Sequence, residues 1–262
     1  MENINQEAAF QNQVEESIRK LGLDKALAKQ TWDWVLNATQ YNYSYNFAWM
    51  GRPIIQFPQD MIAMQEIIWK TKPDLIIETG IAHGGSLVMN ASLLAMLDYC
   101  DAVEQGVVLD PQKPKRKVLG IDIDIRSHNK IAIEKHPMAG RIDMLEGSSI
   151  APEMVARVHE YAKPYKNILV SLDSNHTHEH VLAELEAYAG LTGVGNYCVV
   201  FDTGIEDAPA DMFLDRSWGK GNNPKTAVWE YLKTHPEFVI DRAIDHKLLI
   251  TVAPDGYLKR VA

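Results

Sequence analysis

The sequence predicts an α/β fold with a doubly wound, mostly parallel sheet, and three observations lead to that prediction. Short apolar runs alternate with amphipathic stretches from Leu75 onward, which is typical of a parallel sheet covered by helices. The run Leu75–Ile77 is followed by an acid, a glycine-rich turn and an apolar helix, which together form a ligand-binding crevice. Near the end of the chain, residues 248–252 and 257–261 flank a Pro-Asp-Gly turn, which predicts an antiparallel β-hairpin.

The first sixty residues are predicted to form a helical, aromatic-rich extension that packs on a core domain of residues 61–262. Within the extension, Gln11–Gln30 has the spacing of an amphipathic helix. The segment Thr31–Phe57 is rich in Trp, Tyr and Asn, so it either covers a substrate pocket or simply braces the domain. A further helix with one apolar face is predicted to start at residues 58–60 and to end before Pro73.

The core domain is predicted to alternate between strands and helices, which indicates a parallel sheet. The predicted strands are Leu75–Ile77, Lys117–Ile123, Ile142–Leu145, Ile168–Leu172 and Tyr197–Phe201. The predicted helices are Leu87–Cys100, His128–Lys135, Ala151–Tyr161, His178–Ala189 and Pro224–Thr234.

The composition is that of a globular protein and restricts the classes of partner. The chain has 262 residues, 46% of them hydrophobic and 23% charged, which suits one large α/β domain. A formal net charge of -9 without a basic face argues against a nucleic-acid partner.

No apolar run is long enough to span a bilayer, and the polar start is unlike a signal peptide, so we expect no membrane insertion. Cys100 and Cys198 are expected to be free thiols of a cytoplasmic protein. Homo-oligomerisation is left open.

The turn after the first core strand carries the clearest binding signal. From Glu78 to Ser86 it reads E-x-G-x-x-x-G-x-S, which differs from the G-x-G-x-x-G pattern of dinucleotide-binding turns. Glycines allow the backbone to approach a ligand closely, and an acid at the strand tip suits a cationic or hydroxyl-rich ligand. The candidate cofactor-binding residues are Glu78, Gly80, His83, Gly84, Ser86, Asp122, Ser148 and Ser149.

Three of these candidates lie beyond the turn, at the tips of the second and third strands. Asp122 can accept hydrogen bonds from both hydroxyls of a ribose. Ser148 either lies near an adenine edge or caps the next helix, and Ser149 is also a candidate cap.

A pair of carboxylates at the fourth and fifth strand tips indicates a metal. Asp173 and Asp202 would repel each other unless a cation lies between them, and hard oxygen ligands suit Mg²⁺. Thr203 adjoins this pair as a further candidate ligand. The alternative is that the two aspartates cap separate elements.

A histidine close to the first of these aspartates is the candidate general base. His176 follows Asp173 by three residues and can take a proton near neutral pH. His178 and His180 are alternatives in the same run. His176 and His180 have the spacing of a zinc-binding pair, but no cysteine or third histidine completes such a site.

With these residues in hand, the chain resembles the cephalosporin hydroxylase / rhamnosyl O-methyltransferase family of class I S-adenosylmethionine-dependent methyltransferases. The resemblance runs from about Tyr43 to Val261. Its specific stretches are IIETGIAHGGS, GIDIDIR, LEGSSI, LDSNHTHEHVLAEL, VVFDT, WGKGNNPKTAVWEYL and KLLITVAPDGYLKR.

The resemblance implies S-adenosylmethionine as methyl donor and, in some members, a magnesium site like that of catechol O-methyltransferases. It implies an O-methyltransferase acting on a hydroxyl of a sugar, glycan or secondary metabolite. Glu78 is then expected to face the methionine amino group or the nearby backbone of the cofactor. Some relatives have Glu-Asp at the fifth strand tip, whereas this chain has Phe201-Asp202, so one of the possible metal ligands is missing. The loop Arg216–Asn223 either closes over the acceptor or is structural.

Two other functions are compatible with the same features. One is a non-catalytic, cofactor-binding partner of an oxygenase, and the other is a nicotinamide-dependent reductase.

Overall fold

The computed structural model describes residues 2–262, which form nine α-helices and nine β-strands. The helices are α1 (Glu2–Leu23), α2 (Lys25–Thr39), α3 (Pro58–Thr71), α4 (Gly85–Gln105), α5 (Ser127–Glu134), α6 (Pro152–Ala162), α7 (His178–Tyr188), α8 (Pro224–Tyr231) and α9 (Arg242–Leu248). The strands are β1 (Phe47–Trp49), β2 (Arg52–Ile54), β3 (Leu75–Thr79), β4 (Lys117–Asp122), β5 (Ile142–Glu146), β6 (Ile168–Leu172), β7 (Tyr197–Val200), β8 (Phe238–Ile240) and β9 (Tyr257–Arg260).

The N-terminal extension contains two helices followed by a small hairpin. The prediction of a single helix over Gln11–Gln30 is wrong, because the helical conformation is interrupted at Asp24, between α1 and α2. The Asp24 side chain accepts a hydrogen bond from the Leu27 N–H at 2.9 Å and so caps α2. Strands β1 and β2 then pair antiparallel, which returns the chain toward the core sheet.

Seven strands form the core sheet in the order β5-β4-β3-β6-β7-β9-β8. Strands β3 to β7 pair in parallel, as the alternation of apolar runs predicts. The connection after β5 crosses to the other side of β3, so the strand order reverses between β3 and β6. Ligands of such sheets bind at this switch point, outside the carboxyl ends of the strands.

Helices cover both faces of the core sheet, so the predicted doubly wound arrangement is confirmed. On β3, Ile76 packs in a cluster with residues of α3 and α4. Its neighbours Leu75 and Ile77 pack in a second cluster with residues of α6, α7 and α8. Because successive strand residues point to opposite faces, a continuous apolar run is needed to fill both layers.

The C-terminal antiparallel addition is confirmed, but one of its two strands is not where the sequence predicts it. Strand β9 pairs with β7 on one side and β8 on the other. Residues 248–252 instead end α9 and continue irregularly. The buried Asp60 carboxylate accepts hydrogen bonds from the Thr251 hydroxyl at 2.5 Å, the Val252 N–H at 3.0 Å and the Tyr257 hydroxyl at 2.8 Å. These bonds fix residues 251–252 against α3 and keep them out of the sheet.

Helix α4 is longer than the predicted Leu87–Cys100 and ends where Gly106 adopts a φ of 64°. It is the one helix of residues 2–262 that is long and apolar enough to cross a membrane. Half of its most apolar 18-residue segment is buried inside the protein, so packing in the core accounts for its composition.

The switch point brings the backbones after β3 and β6 into direct contact at Gly80. This residue has a φ of 89°, and a Cβ added to it would lie 2.0 Å from the carbonyl oxygen of Asp173. Backbone hydrogen bonds continue past the strand ends here, from the Asp173 N–H to the Thr79 carbonyl at 2.9 Å. The glycine is therefore required both by its backbone conformation and by this close approach.

Replacing Gly80 with alanine should consequently destabilise the protein much more than the same change at Gly195. Gly195 has a similar φ of 86°, but nothing lies within 4 Å of an added Cβ. Gly195→Ala should cost only the strain of a left-handed residue, about 1–2 kcal/mol. Gly80→Ala must also displace a backbone carbonyl and should cost roughly 3 kcal/mol or more. Urea unfolding of both variants measures the difference, and equal losses would show that the contact with Asp173 yields easily.

Candidate active site

A cavity of about 270 Å³ opens at the carboxyl edge of the sheet, at the switch point between β3 and β6. The glycine turn, the tips of β6 and β7, Val252 and part of the N-terminal extension line it. Six of the predicted site residues lie in this lining. They are Gly80, His83, Ser86, Asp173, His176 and Asp202.

Asp122 organises the glycine turn from the tip of β4. Its Oδ2 accepts hydrogen bonds from the backbone N–H groups of Ile81, at 2.8 Å, and Ala82, at 3.2 Å. Its Oδ1 accepts a third from the Asp124 N–H at 3.1 Å. Ala82 has a φ of 47°, so the turn alternates left-handed residues and points successive N–H groups to one side. Contact of Asp122 with a ribose stays a prediction.

The hydrogen bonds to Asp122 restrict the kind of ligand that the turn can bind. In dinucleotide-binding folds, free N–H groups of the glycine turn and the following helix bind a pyrophosphate. Here the carboxylate of Asp122 already occupies the N–H groups of Ile81 and Ala82. The turn therefore favours a ligand without phosphate at this point.

Glu78 lies behind the cavity surface. The hydroxyl of Ser86 donates to its Oε1, and the Asn90 amide donates to its Oε2 at 2.9 Å. Glu78 borders a second, narrow cavity of about 10 Å³ next to the main one. Burial raises the pKa of Glu78 to about 8, against the lowering effect of Ser86 and with added repulsion from Asp173. Its predicted contact with a methionine amino group stays a prediction.

Gly84 serves the entry into α4. It has a φ of 79°, and an added Cβ would lie 2.4 Å from the side chain of Ile133 on α5. The residue is buried and does not border the main cavity, so its role here is to let the turn pass under α5.

Asp173, His176 and Asp202 come together on the cavity wall. The Nε2 of His176 lies 3.0 Å from Asp202 Oδ2 and 3.8 Å from Asp173 Oδ1. Their side chains retain 23–33% of their exposure, so they face the opening. Asp202 has a φ of 56°, a left-handed conformation that aspartate tolerates.

The two carboxylates decide the charge of His176. Burial favours the neutral imidazole, but Asp202 and Asp173 outweigh it and raise the pKa of His176 to about 9. Burial and repulsion from Asp202 raise the pKa of Asp173, and the nearby His176 imidazole opposes them. The protonated histidine thus serves as counter-ion to Asp173 and Asp202, the acid pair of the site.

The same three groups fit a divalent cation. One ligand atom from each lies within 4.8 Å of the others. Two carboxylates are the oxygen ligands that Mg²⁺ prefers, and it keeps several waters in addition. Phe201, which stands where some relatives have a glutamate, is buried and supplies no ligand.

Thr203 does not belong to this group. It is fully buried, and its hydroxyl donates to the Pro254 carbonyl at 2.7 Å. The left-handed backbone at Asp202 starts a short 3₁₀ turn and directs Thr203 inward. Its prediction as a metal ligand is therefore corrected.

Ser148 and Ser149 do not cap a helix, because Ala151 is the residue that precedes α6. Ser149 is buried and donates to the Glu184 carboxylate at 2.5 Å, and Ser174 donates to the same oxygen at 2.6 Å. Neither Ser148 nor Ser149 borders the main cavity, so their role toward a cofactor stays a prediction.

Glu184 is a site-supporting residue that sequence reasoning missed. It is fully buried on α7 and connects the loops after β5 and β6 through the two serines. A signal exists in the sequence, because Glu184 lies between Val181, Leu185 and Tyr188 on the apolar face of its helix. A charged residue on such a face needs polar partners nearby.

The other two histidines of the run face away from the acid pair. The Nδ1 of His178 lies 2.8 Å from the Thr226 hydroxyl, and its Nε2 lies 3.2 Å from Glu230. The Nε2 of His180 lies 3.4 Å from Glu184. His176 and His180 therefore serve separate clusters and do not form a zinc pair.

The loop Arg216–Asn223 packs beside the site. The Trp218 ring lies 5.2 Å from the His176 ring, and Phe213 packs on Trp218 at 4.8 Å. Glu206 accepts hydrogen bonds from the Gly221 N–H at 2.7 Å and the Asn223 amide at 2.5 Å. The loop is thus held in place next to His176.

The fold is that of a class I methyltransferase. A solved structure of CmcI with Mg and SAM has a TM-score of 0.52 at 18% identity, covering 83% of this chain and 78% of that one. The apo form of CmcI gives a TM-score of 0.51 at 18% identity, with 83% and 77% coverage.

The chain belongs to the family described as Rhamnosyl O-methyltransferase/CmcI, whose model matches residues 41–261. It is 30% identical over 224 residues to the rhamnosyl O-methyltransferase of Mycobacterium leprae, covering 84% of this chain and 86% of that protein. The Mycobacterium tuberculosis protein of the same name is 29% identical over 235 residues, with 85% and 84% coverage. The predicted family and the predicted enzyme class, an O-methyltransferase, are confirmed.

The buried acid Glu78 predicts a pH dependence of stability. A pKa raised from 4.5 to about 8 means that its contribution is fully present below pH 4.5 and is lost as the pH rises through 8. Between these values, unfolding free energy should fall by up to about 1.4 kcal/mol per pH unit. Glu78→Gln should make the slope measurably shallower, because Asp60, Asp173 and Asp245 also have raised pKa values and keep part of it, whereas Glu160→Gln, at an exposed carboxyl on α6, should leave it unchanged. Urea unfolding from pH 5 to 8 tests this, and identical slopes in wild type and Glu78→Gln would contradict it.

Proposed function

We propose that this chain transfers the methyl group of S-adenosylmethionine to a hydroxyl of a sugar or glycan, with Mg²⁺ held by Asp173 and Asp202. The observation that carries the proposal is the acid pair, Asp173 and Asp202, on the wall of a crevice whose glycine turn favours a ligand without phosphate. The names of the relatives, rhamnosyl O-methyltransferases, support a sugar hydroxyl as the acceptor. The CmcI structure that contains Mg and SAM supports the same pair of cofactors.

The charge balance of the crevice supports a cationic cofactor and a cation. Asp173 and Asp202 line it. Among the described residues that line the main cavity, His83 and His176 are the only basic side chains. A sulfonium, an ammonium group and a divalent cation relieve this excess of negative charge, whereas an anionic nicotinamide dinucleotide increases it.

The residues of the chain then have to align an acceptor hydroxyl with the methyl group and remove its proton. Mg²⁺ held by Asp173 and Asp202 would supply positive charge that lowers the pKa of a nearby hydroxyl. His176 takes the proton at Nε2, which it can do only in its neutral form. Because Asp173 and Asp202 favour the protonated form, neutralising these carboxylates is a condition of that role. The packed Trp218 limits the movement of the imidazole.

We also propose a division of the chain into two parts and a location for the protein. Residues 61–262 form the catalytic domain, and the extension of residues 1–60 supplies one wall of the crevice through Ser44, Tyr45 and Gln56. The free thiols of Cys100 and Cys198 support a cytoplasmic location.

Calorimetry and a labelled-methyl assay test the proposed function. The protein should bind S-adenosylmethionine and not NAD, and it should label at least one acceptor in a panel of rhamnosides and other sugars. Excess chelator should abolish transfer, Mg²⁺ should restore it, and Asp173→Asn should lower it.

NAD binding without S-adenosylmethionine binding would favour a reductase. Binding without transfer to any acceptor would favour the oxygenase-partner role, and full transfer in chelator would exclude the cation.

His176 should be needed for turnover and not for cofactor affinity. His176→Ala should lower turnover by about 10²–10⁴, the usual range for general acid–base catalysis. His178→Ala is the matched control, because it changes a neighbouring histidine that packs on α8 and should affect thermal stability alone. The measurements are pH–rate profiles, melting temperatures and cofactor affinities of both variants. Near-normal turnover with an unchanged acidic limb in His176→Ala would show that another group removes the proton.

A further inference from the structure

The N-terminal extension reaches the acid pair through one buried amide, Gln56. This residue follows β2 and retains 6% of its exposure. It borders both the main cavity and the narrow cavity beside Glu78. Its Nε2 donates a hydrogen bond to Asp173 Oδ2 at 3.3 Å. The extension therefore touches one of the two carboxylates on which the proposed function rests.

The segment that carries Gln56 is fixed firmly to the glycine turn. Arg52 donates from Nε, at 3.0 Å, and from Nη2, at 2.5 Å, to the carbonyl oxygen of His83. Its Nη2 also donates to the Asn129 side chain at 3.0 Å. A Cβ added to Gly85 would lie 2.2 Å from the Pro53 carbonyl, which shows how closely the segment packs on the start of α4. Gln56 is thus presented to Asp173 from a rigid support.

The contacts of Asp173 are divided between its two oxygens. Oδ2 receives the amide of Gln56, while Oδ1 faces the imidazole of His176. A carboxylate held at one oxygen cannot rotate freely, so the other oxygen keeps its direction. The donor is a neutral amide, which orients the carboxylate without cancelling its charge. A lysine or arginine at this position would pair with Asp173 and compete with a cation.

A purely structural role would not require an amide at this place. Among residues 2–262, the Gln56 Oε1 is buried and has no hydrogen-bond partner. An unpartnered buried oxygen opposes folding, and an apolar side chain of similar shape would avoid that penalty. The contact with Asp173 is the compensating feature that the structure offers.

We propose that Gln56 is a positioning residue of the active site, which fixes the Asp173 carboxylate for a divalent cation by holding its Oδ2. The inference rests on the proposed function and deepens it. It also gives the N-terminal extension a part in the site beyond bracing the domain. Partners that orient metal ligands typically change metal affinity about 10–100-fold when they are removed.

The test is Mn²⁺ binding to the purified full-length protein, measured by electron paramagnetic resonance of free Mn²⁺. Gln56→Leu should weaken binding about 10–100-fold relative to wild type. Gln56→Met, which keeps an unbranched chain of similar length, should weaken it equally and guards against misfolding of the first variant. Gln59→Leu is the matched control. Gln59 lies three residues away and also has a buried, unpartnered Oε1, yet it borders neither cavity.

The outcomes separate this inference from the proposed function, because methyl transfer is measured independently. Weakened Mn²⁺ binding in both Gln56 variants, with wild-type binding in Gln59→Leu, supports the positioning role even if the wild type transfers no methyl group. Unchanged Mn²⁺ affinity in the Gln56 variants overturns it, and so does methyl transfer by a wild type that binds no Mn²⁺. A fall in melting temperature alone would assign Gln56 to the fold and not to the site.

Discussion

Crowding of carboxylates at one edge of the sheet is the constraint on which the rest of this structure depends. Several acids lie within or just behind the crevice, where water is scarce and burying a charge is costly. Asp60 receives three hydrogen bonds and Glu78 two, and Glu184 receives two from serines. Asp173 and Asp202 have few such partners in the described chain and face the opening. The acids that receive several hydrogen bonds therefore hold the fold together, and Asp173 and Asp202, which receive fewer, are left to interact with a ligand.

Several of these hydrogen-bonded acids connect segments that are distant in sequence. Asp60 fastens residues 251–257 to α3, Asp122 orders the glycine turn, and Glu184 links the loops after β5 and β6. Such connections explain how a crevice assembled from separate segments keeps a defined shape. They also explain why polar groups are tolerated here, since a buried polar network is stable when its members have partners.

The sequence predicted the sheet well because its signals are local. The apolar runs that become β3 to β7 must fill two layers, and the period of their neighbours is helical. The same holds for strand tips, so Asp173, His176 and Asp202 could be expected to meet.

Residues whose role depends on a distant partner were not predictable in this way. Thr203 turns inward because of the backbone at Asp202, and residues 251–252 leave the sheet because Asp60 binds them. Gln56 gave no local signal, because only the fold brings it to Asp173.

The geometry of the acid pair follows from the backbone and does not depend on flexible loops. Hydrogen bonds between neighbouring strands continue past their ends, from the Gly80 N–H to the Ile121 carbonyl and from the Phe201 N–H to the Leu172 carbonyl. Residues directly after the strands thus keep the register of the sheet, and Gly80 allows the tips of β3 and β6 to touch. A site on such rigid supports needs little ordering when a ligand binds. The sheet does not fix the rotation of each side chain. At Asp173, the contacts with His176 and Gln56 restrict that rotation.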